Sequence, residues 1–144
     1  MNVDTSGLSI NAIRYFPGNG ILVWGARTLD GNSLDFRYVP VTRFCMMVEQ
    51  SLVKGLKVYA SEPNNAITWS KVKATVETFL THLWKQGALA GAKPEDGFSV
   101  HIGLGQTMTA EDIEDGRMLL TILLAVSRPA EFIELSISFQ MKNV

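Results

Sequence analysis

The sequence has a single cysteine, Cys45, in 144 residues. One thiol cannot form an intramolecular disulfide and cannot supply a cysteine-based zinc site. A single cysteine fits a reducing compartment or a protein that never needed oxidation. We expect Cys45 to be a small buried apolar side chain.

Long apolar runs and runs of like charge are also missing. The amino-terminal MNVDTSGLSI has no basic region followed by an apolar one. No stretch approaches the roughly 18 uninterrupted apolar residues of a membrane span. The 13 basic and 14 acidic residues are dispersed, and the formal net charge is −1. The sequence therefore predicts no cleaved signal peptide, no membrane insertion and no nucleic-acid partner.

Motifs for phosphate, metal or catalytic chemistry are incomplete. The glycines of residues 18–20 and 103–105 are not followed by the Lys-Ser/Thr of a phosphate loop and do not complete a dinucleotide-binding pattern. His82 has no acidic residue at helical metal-ligand spacing, and His101 lies on a separate predicted strand. We predict that the chain is not an enzyme and binds no cofactor or metal.

A group of acidic residues lies in a predicted short helix that begins after Thr109 and closes at Gly116. Its members are Glu111, Asp112, Glu114 and Asp115. They lack the alternating spacing of a calcium loop, so helix capping at a solvated surface is favoured over cation binding. The three tryptophans lack interleaved basic residues and are predicted to pack in the core.

Residues 11–29, NAIRYFPGNGILVWGARTL, organise the first part of the chain. Two apolar segments flank a turn in which Pro17 fixes one backbone angle while Gly18 and Gly20 tolerate positive φ. This pattern predicts a structural corner and not a catalytic loop. We expect residues 8–12 to approach the turn as a strand-like arm and residues 21–24 to follow it as a strand that enters the core.

Four arginines fall in otherwise apolar segments near this corner. They are Arg14, Arg27, Arg37 and Arg43. Their placement indicates ion pairs at a subunit interface, and the alternative is that they are surface arginines lying along apolar neighbours.

Helical periodicity appears twice in the middle of the chain. Apolar positions recur at helical spacing over roughly residues 41–54, and Gly55 stands where a left-handed helix cap would be. A longer apolar stripe runs from Trp69 to Trp84 and ends at Gly87. Strands are predicted over residues 36–39, 56–60, 98–102 and 118–126, the last one buried on both faces because it is nearly all apolar.

The clearest alternation of apolar and polar residues is near the carboxyl end. It puts five apolar residues on one face: Ile133, Leu135, Ile137, Phe139 and Met141. A strand with such a face at a chain terminus either pairs inside its own domain or extends to pair with another subunit. With Leu8 and Ile10 at the other end, these residues are candidates for subunit-interface arms.

The order of elements predicts an α/β (α+β) fold, in which a mixed β-sheet packs against two main helices and one short helix. Strand-like amino- and carboxyl-terminal arms remain available for pairing with neighbouring subunits. We divide the chain into an N-terminal arm over residues 1–10, a core domain over 11–132 and a C-terminal strand arm over 133–144.

Six segments carry a family resemblance. They are NAIRYFPGNGILVWGARTL at 11–29, RYVPVTRF at 37–44, EPNNAITW at 62–69, FL..LW..GAL.GA.PED at 79–96, TMTAEDIEDGRM at 107–118 and RPAEFIELSISFQ at 128–140. Together and in this order they resemble the C-terminal domain of contractile phage tail sheath proteins, which also occurs in phage-tail-like contractile injection particles.

The resemblance implies a structural subunit that self-assembles by inter-subunit β-strand addition. The implied homo-oligomer is a six-fold helical sleeve around a tail tube protein, and its contraction drives the tube through a target envelope. A baseplate or tail terminator is the further partner, in a virion tail or phage-tail-like particle assembled in the bacterial host cytoplasm. The acidic helix with Glu111, Asp112, Glu114 and Asp115 becomes a candidate tube-facing helix.

Two alternative functions stay open from the sequence. One is a tail adaptor or terminator that docks one partner and does not propagate, and the other is a small-ligand-binding α/β domain. Complete sheaths of this kind carry additional N-terminal domains, so the chain is either an excised domain or a short sheath-like protein.

Overall fold

The computed structural model describes residues 8–30, 36–126 and 132–141. The elements in order are β1 (Ala12–Phe16), β2 (Gly20–Trp24), α1 (Val39–Leu56), a 3-10 helix (Lys57–Ser61), α2 (Ala66–Lys85), α3 (Pro94–Gly97), β3 (Phe98–His101), α4 (Ala110–Glu114), β4 (Arg117–Ala125) and β5 (Phe132–Gln140). The chain forms two compact units, Met1–Met47 and Val48–Val144, and α1 runs across their boundary.

The first unit contains an antiparallel hairpin of β1 and β2, which form a two-stranded sheet of their own. A single antiparallel bridge follows, between Arg27 and Tyr38. The strand predicted over residues 36–39 is therefore wrong beyond Tyr38, because α1 already begins at Val39. Cys45 is buried, as expected. The sequence Asp-Gly-Asn at residues 30–32 predicts a second turn, which lies partly outside the described residues.

Helix α1 confirms the predicted helix and exceeds it at both ends. Gly55 lies inside its last turn and Leu56 is its last residue, so Gly55 is not a left-handed cap. The strand predicted over residues 56–60 is also wrong, since the chain continues there as a 3-10 helix. Leu56 is almost fully buried at the end of α1. Burial of this side chain outweighs the weak strand preference of the few residues that follow it.

Helix α2 confirms the longest predicted helix. The Asn65 side chain accepts hydrogen bonds from the backbone N–H groups of Ile67 and Thr68 and so caps its first turn. Gly87, where the helix was predicted to stop, follows its end and has a φ of +79°, a left-handed conformation. The buried stripe consists of Val72, Val76, Leu80 and Leu83 with Thr68.

The second unit contains an antiparallel sheet in the order β3-β4-β5. Its central strand, β4, buries Met118, Leu120, Ile122 and Leu124 completely. On the other face of β4, Arg117 is exposed, Leu119, Thr121 and Leu123 are half-buried, and only Ala125 is buried. The expectation that the strand is buried on both faces is therefore wrong for most of its length. Helix α2 lies against β3. Residues 87–96 are rich in small residues, which predicts a connector, and the structure forms the short helix α3 at its end.

Strand β5 pairs with β4 along its whole length, from Phe132 opposite Ala125 to Gln140 opposite Arg117. The predicted α+β class is confirmed. The expectation of one mixed sheet is corrected, since the strands of the described residues form two sheets and all of their pairings are antiparallel. The sequence Arg-Pro-Ala at residues 128–130 predicts a break between the last two strands, and it lies outside the described residues. Within the described part of the chain, no helix combines the length and apolarity that crossing a membrane requires.

Candidate assembly surface

The β1–β2 hairpin has a regular register. Ala12 lies opposite Trp24, Ile13 opposite Val23, and Phe16 opposite Gly20 at the turn. In this turn the N–H of Asn19 donates to the Phe16 carbonyl at 3.1 Å. Gly18 and Gly20 have φ of +86° and +79°, which few other residues adopt without strain. Pro17, Gly18 and Gly20 therefore form the turn predicted from the sequence.

The hairpin exposes apolar side chains on one whole face. Two cross-strand pairs, Ile13 with Val23 and Tyr15 with Ile21, share this face because residues directly opposite each other point the same way. Their exposed fractions are 70% for Ile13, 64% for Val23, 70% for Tyr15 and 74% for Ile21. We call these four residues the hairpin face. A contiguous exposed apolar surface of this kind is typical of a binding surface.

The opposite side of the hairpin carries Phe16 and Trp24, whose ring centroids are 4.7 Å apart. Trp24 is still 56% exposed, and Leu22 is exposed as well. The expectation that residues 21–24 enter the core is therefore wrong, and so is core packing for Trp24. Residues 21–24, ILVW, are four consecutive apolar residues, a pattern typical of a strand that is buried on both faces by its own chain or by a neighbour.

The predicted interface arms have different environments in the two units. Leu8 and Ile10 are exposed in the first unit. In the second unit Ile133, Leu135, Ile137 and Met141 are buried and Phe139 is half-buried, in a strand already paired with β4. Of the two alternatives for the last strand, pairing inside its own domain is the one seen in this chain. Pairing with another subunit stays a prediction.

The four arginines near the corner have different surroundings. Arg14 and Arg43 are exposed, and Arg27 and Arg37 are half-buried. The guanidinium carbon of Arg27 lies 5.9 Å from the centre of the Tyr38 ring, a cation–π distance. In the described ranges the salt bridges are made by Lys71, Lys73 and Arg117, and not by Arg14, Arg27 or Arg43. Interface ion pairs remain a prediction for these arginines.

The acidic helix α4 begins as predicted, with Thr109 as its N-cap. The Asp112 carboxylate accepts hydrogen bonds from the Thr109 N–H at 2.9 Å and from its hydroxyl at 2.8 Å. These bonds, and then the nearby Arg117, lower the pKa of Asp112 below its ordinary value. Arg117 also pairs with Asp115 at 3.0 Å. Two of the four candidate tube-facing carboxylates are thus engaged within the chain, whereas Glu111 and Glu114 are exposed.

A cleft of about 570 Å³ lies between α2 and β3. Its lining mixes both charges, with Lys73 and Glu77 on the helix and His101 on the strand. His101 lies 3.1 Å from the Ser99 hydroxyl, and His82 lies 3.0 Å from the Gln86 amide in a different place. Among the described residues no three His, Cys, Asp or Glu side chains are grouped to hold a metal ion.

A comparison with known protein families covers the part of the chain that follows the β1–β2 hairpin. A family model described as the phage tail sheath C-terminal domain matches residues 32–140. The chain belongs to this family. The predicted resemblance is thereby confirmed, and the family is one of structural sheath proteins.

Solved structures of sheath assemblies agree with this result. A chain of the anti-feeding prophage baseplate, 6-fold symmetrised, is 41% identical with a TM-score of 0.78, over 93% of this chain and 37% of that one. A chain of the PVC sheath complex, an extracellular contractile injection system in the contracted state, is 47% identical with a TM-score of 0.74, over 88% of this chain and 36% of that one. The sheath domain thus spans little more than a third of these chains.

A more distant structure extends the likeness in fold alone. The sheath tail protein of Desulfitobacterium hafniense is 14% identical with a TM-score of 0.63, over 86% of this chain and 28% of that one. No curated protein matches the sequence.

Proposed function

We propose that this chain is an assembly domain of a contractile sheath, which polymerises by inter-subunit β-strand addition around a tail tube. The exposed hairpin β1–β2 carries this proposal, together with the family membership. A two-stranded hairpin is marginally stable by itself in water, and additional strands or a packed layer stabilise it. The described residues supply neither for the hairpin face.

The hairpin offers two means of attachment to a second copy of the chain. Each of its strands has an outer edge whose backbone groups are able to pair with an added strand. The hairpin face adds apolar area, which is removed from water when a neighbour covers it. Contact between two different surfaces of identical subunits is heterologous, and repeated contacts of this type build rings or filaments.

The remaining parts of the proposal come from the family. The assembled sleeve is a six-fold helical homo-oligomer that meets a baseplate or tail terminator, and its contraction drives the tube through a target envelope. The particle is a virion tail or phage-tail-like particle made in the bacterial host cytoplasm. The terminal segments with Leu8, Ile10 and residues 133–144 are proposed as the strands exchanged, and α4 as the helix that faces the tube. In support, the anti-feeding prophage and PVC structures are themselves assemblies of contractile systems.

The hairpin face is tested by a double substitution, Ile21→Thr with Val23→Thr. Threonine keeps a strong preference for strands but removes apolar surface, and both positions are exposed, so the hairpin is expected to fold. Wild-type protein is expected to pellet on ultracentrifugation as rings or sleeves visible by electron microscopy. The double variant is expected to stay mainly in the supernatant.

Ile67→Thr is the matched control, because Ile67 is an equally exposed isoleucine, 70%, on helix α2. It is expected to assemble like the wild type. Normal sleeves from the double variant would show that the hairpin face is not an assembly surface. A wild-type protein that stays monomeric at all concentrations would contradict the proposed function as a whole.

A further inference from the structure

Arg27 is the middle of a small backbone ladder at the base of the hairpin. On one side it bridges Tyr38, through bonds from the Thr28 N–H to the Arg37 carbonyl at 2.8 Å and from the Val39 N–H to the Ala26 carbonyl at 2.9 Å. In this type of antiparallel bridge the N–H and C=O of Arg27 itself point to the other side. They form a free edge unless something else occupies it.

The side-chain amide of Asn11 occupies that edge. Its Nδ2 donates to the Arg27 carbonyl at 2.8 Å, and its Oδ1 accepts from the Arg27 N–H at 2.9 Å. A primary amide presents one donor and one acceptor side by side, as a neighbouring strand does. Asn11 therefore takes the place of a third strand, and it does so immediately before β1 begins at Ala12.

Gly25 provides the space for this contact. It follows β2 directly and has a φ of +150°, a conformation that residues with a side chain rarely adopt. A Cβ atom at this position would lie 2.6 Å from Oδ1 of Asn11. The first residue before the hairpin and the first residue after it are thus fitted to each other.

The base is also tied to the start of helix α1. The Thr28 hydroxyl donates to the Phe36 carbonyl at 2.7 Å, and the Thr42 hydroxyl lies 3.2 Å from the same carbonyl. With the Val39 N–H bonded to Ala26, the first turn of α1 and the Arg27 ladder are joined by several bonds. These bonds restrict the backbone of residues 26–28, which follow the exposed hairpin directly.

We infer that Asn11 is a positioning residue for assembly: its amide, seated on Arg27 in the space left by Gly25, fixes the direction of the hairpin and closes the Arg27 edge to strand addition. We call this pair of hydrogen bonds the Asn11 clamp. The inference rests on the proposed function, because the direction of the hairpin matters only if a neighbour receives it. Prior ordering of the hairpin lowers the entropy lost when a second copy binds.

The first test measures the clamp without assembly, by residue-specific amide hydrogen exchange of the full chain kept dilute. Asn11→Ala is expected to raise the exchange rate of the Arg27 N–H about tenfold, since the lost partners leave this amide open to water. Asn19→Ala removes the same amide group from the tip of the hairpin and is expected to leave Arg27 unchanged. Unchanged Arg27 exchange in Asn11→Ala would overturn the clamp.

A double-mutant cycle separates the clamp from general loss of stability. Gly25→Ala alone is expected to raise Arg27 exchange too, because its methyl group displaces the Asn11 amide. In the Asn11→Ala background the Oδ1 atom that the methyl group would meet is gone, so Gly25→Ala is expected to raise Arg27 exchange less than it does alone. The strain of a side chain at a φ of +150° is common to both backgrounds and accounts for what remains. Fully additive effects on Arg27 would show that the two residues act independently and would overturn the fit between them.

The second test is assembly of the same variants, measured as the protein concentration at which sleeves pellet. Asn11→Ala is expected to raise this concentration about tenfold while Asn19→Ala does not, the loss of a pre-ordered hairpin being the cause. If Arg27 exchange rises but assembly is unchanged, the role of the clamp in assembly is overturned. If the wild type does not assemble, the proposed function fails, and the exchange measurements still decide whether the clamp exists.

Discussion

Single side chains in this domain join elements that are distant in sequence. Asn64 accepts a bond from the Trp69 indole N–H at 2.7 Å and donates to the Arg117 carbonyl at 3.1 Å, so one amide connects α2 to the start of β4. Glu62 accepts from Lys71 at 2.9 Å, and the Thr68 hydroxyl donates to the same carboxylate oxygen at 3.3 Å. The side chains of the EPNNAITW segment therefore make both local and long-range hydrogen bonds around the first turn of α2.

The Asp112 carboxylate is expected to make the stability of the fold depend on pH. Its pKa is lowered from an ordinary value of 3.8, first by the Thr109 backbone bond, then by the Thr109 hydroxyl and by Arg117. A carboxyl with a lowered folded-state pKa stabilises the fold above its unfolded pKa, and this contribution is lost as the pH falls through the folded-state pKa. Asp112→Asn is thus expected to lower the unfolding midpoint at pH 7, and the difference should shrink as the pH falls below 3.8.

Thermal unfolding of both proteins across this pH range checks the prediction. Glu114→Gln is the control, because it removes the same charge from an exposed position of the same helix. It should change the midpoint little at either pH. A difference between wild type and Asp112→Asn that stays constant from neutral to acid pH would contradict the assignment.

At the scale of elements, α2 and β4 carry the core of the second unit. The apolar stripe of α2 includes Val72, Val76 and Leu80, all at 0% exposure, and the inward residues of β4 are equally buried. The hairpin is the opposite case, with side chains that the described part of the chain leaves in water. Stability and assembly therefore depend on different elements, and substitutions can separate them.

Leu80→Ala tests the role of α2 in stability. Removing a fully buried leucine side chain is expected to lower the free energy of unfolding by about 2–5 kcal/mol, from lost apolar burial and the cavity left behind. Ile67→Ala, on the exposed side of the same helix, is expected to change it by about 0.5 kcal/mol or less. Urea denaturation followed by circular dichroism measures both. Equal effects of the two substitutions would contradict the assigned core.

At the scale of the whole molecule, the near-neutral charge of −1 and the exposed hairpin favour association by apolar contact and strand pairing. Heterologous association continues without limit when its rotation does not close a ring, as in a helical sleeve, whereas an adaptor or terminator binds one partner and stops. The average particle mass in analytical ultracentrifugation is expected to keep rising with protein concentration, and to depend only weakly on salt. A mass that stops at a dimer would favour the adaptor and contradict a propagating sheath domain.

Much of the fold followed from local patterns. The two long helices, the Thr109 cap, the turn at Gly18 and Gly20, and the alternating last strand were all visible as spacing or turn chemistry. The errors fell where several outcomes were locally allowed. Residues 56–60 have strand-like composition, but Leu56 is buried as the last residue of α1. The chain then continues as a 3-10 helix and not as a strand.

The turn of the hairpin was predicted from the sequence, but the exposure of the strand that follows it was not. Residues 11–29 were identified as a corner, yet residues 21–24 were expected in the core and are exposed. An apolar run has the same sequence signature whether its own chain or a neighbour covers it. Asn11 was not singled out, because a lone asparagine before a strand has no distinctive pattern.

The sequence by itself determined the family, the main helices, the hairpin turn and the lack of complete catalytic motifs, since these depend on residues close together in the chain. Only the tertiary structure decided that β5 pairs with β4 inside its own sheet, that the hairpin face is left in water, and that the Asn11 amide stands in for a strand beside Arg27. Each of these depends on which distant groups meet, and local periodicity carries no record of that.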